Sequence, residues 1–184
     1  MLMCKEKSAL IVVDIQEKLT PHVREPEMLV DKCQWMIRLA YDLHVPVIVS
    51  EQYPSRLGKT VEPLKTLTTD EQAIEKVCFS CNRERDFCNR WGELGKTQAV
   101  IIGIETHVCV MQTALDMKCS GVDVYVVTDA TNSRHEQDYV CALARMQQAG
   151  VQIVTSEMVF FEWVERAGND EFKRLSNAYI QKKR

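Results

Sequence analysis

Ala9-Leu10-Ile11-Val12-Val13-Asp14 is the stretch on which the fold turns. Its apolar residues run without alternation and stop at a carboxylate. An unbroken apolar run suits a strand buried on both faces, as in a parallel sheet covered by helices. Helical spacing follows, with Leu29, Val30, Cys33, Met36, Ile37, Ala40 and Leu43 recurring at three and four residues. Pro46 opens a second strand, Val47-Ile48-Val49, followed by a long polar loop punctuated by Pro54, Gly58 and Pro63.

The same alternation continues to the end of the chain. A weaker strand spans Ile74 to Phe79, and a polar helix carries Phe87 and Trp91. In Ala99-Val100-Ile101-Ile102-Gly103-Ile104-Glu105-Thr106-His107-Val108-Cys109-Val110, an apolar strand ends at Gly103 and a helix opens near Cys109. Gly121 closes that helix, as a C-terminal glycine does. Val122–Val127, a helix through Leu143 and Met146 to Gly150, and Val151–Val154 complete the pattern. Ser156 is expected to cap the next helix, which carries Val159, Phe160 and Trp163, and one last helix is expected after Asn169. Six strands alternating with helices predict a doubly wound, Rossmann-like α/β fold: a three-layer α/β/α sandwich around a six-stranded, mainly parallel sheet. No linker or repeat divides the chain, so one domain over residues 1–184 is expected, with its core at about 8–163.

At 184 residues, 46% hydrophobic and 27% charged, the composition is that of an ordinary globular domain. A net charge of −3 gives no electrostatic case for nucleic acid or an anionic membrane, and the basic end, Gln181-Lys182-Lys183-Arg184, reads as a solvated tail. No apolar run approaches the roughly 20 residues that span a bilayer. The N-terminus lacks the pattern of a secretory signal, which makes the cytoplasm the expected location. Eight cysteines without such a signal read as reduced thiols rather than a disulfide scaffold.

In doubly wound sheets reactive groups gather where strands end. Asp14, Lys76 and Cys109 all stand at or near such ends. Asp14 reads either as a turn aspartate or as a general base. Lys76 reads either as an edge charge or as the partner of a thiolate. Cys109, near a helix N-terminus, would face unpaired N–H groups and the positive end of the dipole, both of which favour the thiolate. Cys78-x-x-Cys81, with Cys88 beyond, lacks the second cysteine pair or compact histidine pair of a zinc site; packing or surface thiols fit it better than metal or redox chemistry. His107 stands two residues from Cys109 and so does not share its helix face. Phe160, Phe161 and Trp163 read either as core or as an apolar contact face. There is no Gly-x-Ser-x-Gly elbow, Walker loop or Gly-x-Gly-x-x-Gly signature.

Three segments together resemble the isochorismatase-like family, in its cysteine hydrolase branch: Ala9 to Gln16, the lysine before Phe79-Ser80, and Gly103 to Val110. Glu51-Gln52-Tyr53-Pro54, Leu57-Gly58 and Asp129-Ala130-Thr131 also look like the isochorismatase domain-containing subgroup, and the likeness runs from about Ser8 to Trp163. The resemblance implies the isochorismatase-like hydrolase fold and an Asp14–Lys76–Cys109 triad. It also implies a cis peptide between Ile104 and Glu105 that aims the Glu105 N–H, with that of Cys109, at an oxyanion. Gln16, Tyr53, Phe79 and His107 are the expected pocket residues. The implied reaction is hydrolysis of an amide-type C–N bond in a small molecule, without cofactor or metal, by a homo-oligomer. Cys109 argues against the vinyl-ether cleavage of isochorismatases proper. Ser50-Glu51-Gln52-Tyr53-Pro54-Ser55 lacks the Asp-x-His pair of zinc nicotinamidases. Two other readings stand beside this one: a scaffold whose chemistry has lapsed, and a nucleic-acid-cleaving protein, which the acidic balance disfavours.

Overall fold

The computed structural model describes residues 1–69 and 72–181, and the basic residues Lys182 to Arg184 lie outside them. Six strands form one sheet: β1 (Ser8–Val13), β2 (Val47–Gln52), β3 (Ala73–Lys76), β4 (Gln98–Ile104), β5 (Asp123–Asn132) and β6 (Gln152–Val154). Their order is β3-β2-β1-β4-β5-β6, and every neighbouring pair is parallel. The order reverses between β1 and β4, so a switch point opens where those two strands end.

Helices cover both faces. Leu10, Val12, Val49, Val100 and Ile102 pack with α1 (Pro26–Asp42), α7 (Ser156–Val164) and α8 (Asp170–Tyr179). Ile11, Val13, Ile48, Ile101 and Val126 pack on the other side with α4 (Arg85–Leu94), α5 (Met111–Cys119) and α6 (Glu136–Gln148). Successive strand residues face opposite ways, and both ways lead into a core. That is why the sequence shows runs instead of alternation. The expected three-layer sandwich is the fold.

Several boundaries differ from the sequence reading. The polar loop after β2 contains two short helices, α2 (Pro54–Leu57) and α3 (Glu62–Lys65), each with proline in its first turn. β2 itself continues through Ser50-Glu51-Gln52, and all of its residues are buried. β3 is shorter than expected and ends at Lys76. β4 does not stop at Gly103. It passes through that residue at φ 120°, where a Cβ would lie 2.1 Å from the Val13 carbonyl oxygen, so only glycine lets β4 hug β1 to its end. Thr155, not Ser156, caps α7 by accepting from the Met158 N–H; Ser156 instead donates through both N–H and Oγ to Asp129. Phe160 and Trp163 are wholly buried and belong to the core, while Phe161 is exposed.

Candidate active site

Asp14 ends β1 in the left-handed backbone region, φ 50°, which an aspartate tolerates better than most side chains. Its N–H donates to the Ser50 carbonyl at 3.1 Å and its carbonyl accepts from Gln16 N at 2.8 Å. This turn aims the carboxylate inward, where it is fully buried. Oδ1 accepts from Ser50 Oγ at 2.7 Å, and Oδ2 lies 2.8 Å from Lys76 Nζ. The Asp14 carboxylate also takes a side-chain hydrogen bond from Cys109.

Lys76 ends β3 and is no edge charge. Its ammonium is buried among the Asp14 carboxylate, Gln52 Oε1, and the carbonyls of Cys78 (3.3 Å) and Phe79 (3.1 Å). Burial disfavours the ammonium, but the Asp14 carboxylate, followed by Cys109 and Cys81, outweighs it and holds Lys76 above the usual lysine range.

Cys109 sits in a π-helical turn, Thr106–Val110, that runs directly into α5. Its Sγ faces Gln52 Oε1 at 3.9 Å and the residue is only 6% exposed. Burial first and the Asp14 carboxylate second push its thiol well above the ordinary cysteine value, and Lys76 pulls it only part of the way back. Loss of solvent and the Asp14 carboxylate thus work against the thiolate that a helix terminus favours. The peptide between Ile104 and Glu105 is cis.

The expected pocket residues divide. Tyr53 and Phe79 are exposed at 48% and 52%, on the segments that follow Gln52 and Lys76. Gln16 does not face a pocket. Its amide is consumed by the main chain, donating to the carbonyls of Gln52 (3.0 Å) and Gly58 (2.6 Å) and accepting from Gln52 N (2.7 Å). His107 turns toward Ser133 Oγ (3.0 Å) and Asp138 (3.9 Å), away from the sulfur. The Glu105 carboxylate is tied to Arg134 at 3.1 Å.

Ser50 and Gln52 were missed in the sequence as members of this cluster. Ser50 and Gln52 had a signal: polar residues closing an apolar strand at the same sheet edge as Asp14. Cys81 is buried, with its N–H donating to Thr113 Oγ1 at 2.9 Å, and burial followed by Asp14 raises its thiol. Cys88 is exposed with Sγ on the Asn82 carbonyl, and Cys78 lies against Glu84, so the three thiols of the Cys78–Cys88 stretch go separate ways. All eight cysteines are free. Among the described residues, metal-like spacing occurs at Cys4, Glu6 and Glu165, outside the Asp14 cluster. No helix among the described residues is long and apolar enough to cross a membrane.

The Isochorismatase domain family model matches residues 8–158, from the start of β1 into α7. The chain belongs to the isochorismatase family. Mouse isochorismatase domain-containing protein 2A is 36% identical over 92% of this chain and 81% of its own. The MAR1 ribonuclease of Caenorhabditis elegans superposes with a TM-score of 0.90 at 32% identity, covering 99% of this chain and 94% of that one. The Escherichia coli YcaC gene product, an octameric hydrolase of unknown specificity, superposes with a TM-score of 0.91 at 30% identity, covering 98% and 91%. This isochorismatase-family chain thus shares its sheet and helical layers with hydrolase-type relatives.

Proposed function

We propose that the chain is a cysteine-dependent hydrolase that cleaves an amide-type C–N bond in a small molecule through a thioester. The observation that carries this reading is the buried Asp14–Lys76 ion pair beside the Cys109 thiol, at the edge of the sheet where its strand order reverses. A buried charge pair is a poor source of stability, because desolvation cancels most of its attraction. A role in proton transfer accounts for its presence.

Asp14 takes the proton from Cys109 Sγ as the sulfur attacks the substrate carbonyl. Lys76 offsets the negative charge on the sulfur as the bond forms, and the N–H groups of Glu105 and Cys109 hold the oxyanion to which that charge passes. Asp14 returns its proton to the departing amine, the C–N bond breaks and the thioester remains. Water, losing a proton to Asp14, attacks the thioester; the carboxylic acid leaves and the thiol is restored. Tyr53 and Phe79 form the apolar rim. We assign the working enzyme to the cytoplasm as a homo-oligomer, by analogy with the octameric relative.

The test is a screen of small amides against wild type, Cys109→Ala and Asp14→Asn, with folding followed by circular dichroism. Turnover lost in both folded variants supports the reading, and turnover surviving Cys109→Ala ends it. The ribonuclease description of the Caenorhabditis elegans relative favours a second reading. Cleavage of RNA by wild type and not by Cys109→Ala would establish that one instead, against a net charge of −3.

A further inference from the structure

A neutral side chain, like the Asp14 carboxylate, touches both the ammonium and the sulfur of the cluster. Gln52 Oε1 accepts from Lys76 Nζ and faces Cys109 Sγ at 3.9 Å. The amide cannot be turned over. Its Nε2 donates to the Val77 carbonyl at 2.8 Å, and a flipped amide would set an NH2 group against the ammonium. The main chain of Gln52 is equally fixed. Its N–H donates to Gln16 Oε1 at 2.7 Å and its carbonyl accepts from Gln16 Nε2 at 3.0 Å. The next residue, Tyr53, donates its N–H to the Lys76 carbonyl at 2.8 Å. Gln16 therefore spends its side chain on holding Gln52, and Gln52 spends its own on the ammonium and the thiol.

We propose that Gln52 is a positioning residue of this site: its amide oxygen holds part of the Lys76 ammonium away from the sulfur and accepts a hydrogen bond from the Cys109 thiol until Asp14 takes the proton. This rests on the reading of Asp14, Lys76 and Cys109 as the reacting set. The titratable and charged groups around the sulfur are Asp14 from the end of β1, Lys76 from the end of β3 and Cys81 from the turn before α4. Gln52, from the end of β2, is the neutral member that keeps the negative end of an amide dipole on the sulfur. The resting thiol is thereby favoured over the thiolate, and the ammonium is shared with a neutral acceptor. Replacing that oxygen changes the sulfur's proton affinity in a direction set by the replacement. A carboxylate there opposes the thiolate and raises it. An apolar or shortened side chain removes the acceptor, leaves the ammonium to the sulfur and lowers it.

The experiment measures the rate at which iodoacetamide labels Cys109 as a function of pH, read by peptide mass spectrometry on the full chain, with exposed Cys88 as internal standard. Gln52→Glu should slow Cys109 labelling at pH 8 about tenfold relative to Cys88. Gln52→Met should speed it about threefold. Should Gln52→Glu unfold, Gln52→Asn, which keeps the amide but draws its oxygen back by one methylene, should speed labelling as Gln52→Met does. A residue that merely shaped the fold would move Cys88 and Cys109 together or leave both rates alone. A ratio of Cys109 to Cys88 rates unchanged in the folded variants, or displaced in the same direction by glutamate and methionine, overturns the proposal. Labelling reads the protonation of the sulfur without any substrate. Absence of amide turnover in the wild type would therefore count against the hydrolase reading alone.

Discussion

Two lysine–aspartate pairs lie on opposite faces of this sheet, and they do different work. Asp14 and Lys76 meet at 2.8 Å with side chains 0% and 1% exposed. Lys32 and Asp129 meet at 3.1 Å with side chains 15% and 37% exposed, at the edge of a cleft of about 700 Å³ between α1 and the end of β5. Asp129 is fastened to α7 through the N–H (2.7 Å) and Oγ of Ser156, and Lys32 also reaches Ser156 Oγ at 3.0 Å. Burial raises the Asp129 carboxyl, but the Ser156 hydrogen bonds and then Lys32 bring it below the usual carboxylate range. The outer pair anchors a helix, and water shares its charge. The inner pair has no water to share with, and its groups answer only to each other, Ser50, Gln52, the thiols and two carbonyls. Equal chemistry at unequal depth separates a structural clamp from a proton-handling centre.

Breaking the inner pair should be the largest effect. Lys76→Met or Asp14→Asn should cost about 3–5 kcal/mol in urea unfolding, because the surviving partner stays buried without its counterpart. The double variant Asp14→Asn/Lys76→Met should cost clearly less than the two single losses added together. Strict additivity would mean that the two groups do not act as a pair.

The outer pair should be far more forgiving. Asp129→Asn should cost about 1 kcal/mol by the same measurement, since its carboxylate is more than a third exposed and solvent already screens it. A loss as large as that at Asp14 would erase the contrast between the two pairs.

Acid separates the pairs as well. A carboxyl held low in the folded state contributes stability that is complete above its unfolded value, about 3.9, and is lost as pH falls through the folded value. Thermal melts between pH 5 and pH 2.5 should therefore show a shallower fall for Asp129→Asn than for wild type. Equal slopes would deny Asp129 its lowered titration.

Alkali tests the inner side. The raised, buried thiol of Cys109 contributes stability that is complete below the unfolded cysteine value, about 8.5, and is lost as pH rises toward its folded value. Melting temperature should decline from pH 8 to 10, less in Cys109→Ala than in wild type. A steeper decline in the variant would show the sulfur to be ionised at rest.

The same contrast in depth explains what was legible beforehand. Asp14, Lys76 and Cys109 stand at or near strand ends, and the resemblance of their segments to the isochorismatase-like family is what singled them out as a set. Gln52 was placed in a polar loop because its residues look solvated. Only its pairing with Gln16 and Lys76 makes that stretch a buried strand end. Gln16 and His107 were expected at a pocket, yet their hydrogen-bonding groups are taken up by the main chain and by Ser133. The number of partners a polar side chain finds is a property of neighbours distant in sequence.

The sequence by itself determined the layered sheet, since runs of apolar residues at strand and helix periods allow few other ways to bury them. It determined as well which chemical groups stand at the strand ends. The tertiary structure alone decided the depth at which those groups lie, and depth fixes their protonation. A helix terminus alone favours the Cys109 thiolate, but the folded chain removes the water that would sustain the charge and sets the Asp14 carboxylate against it.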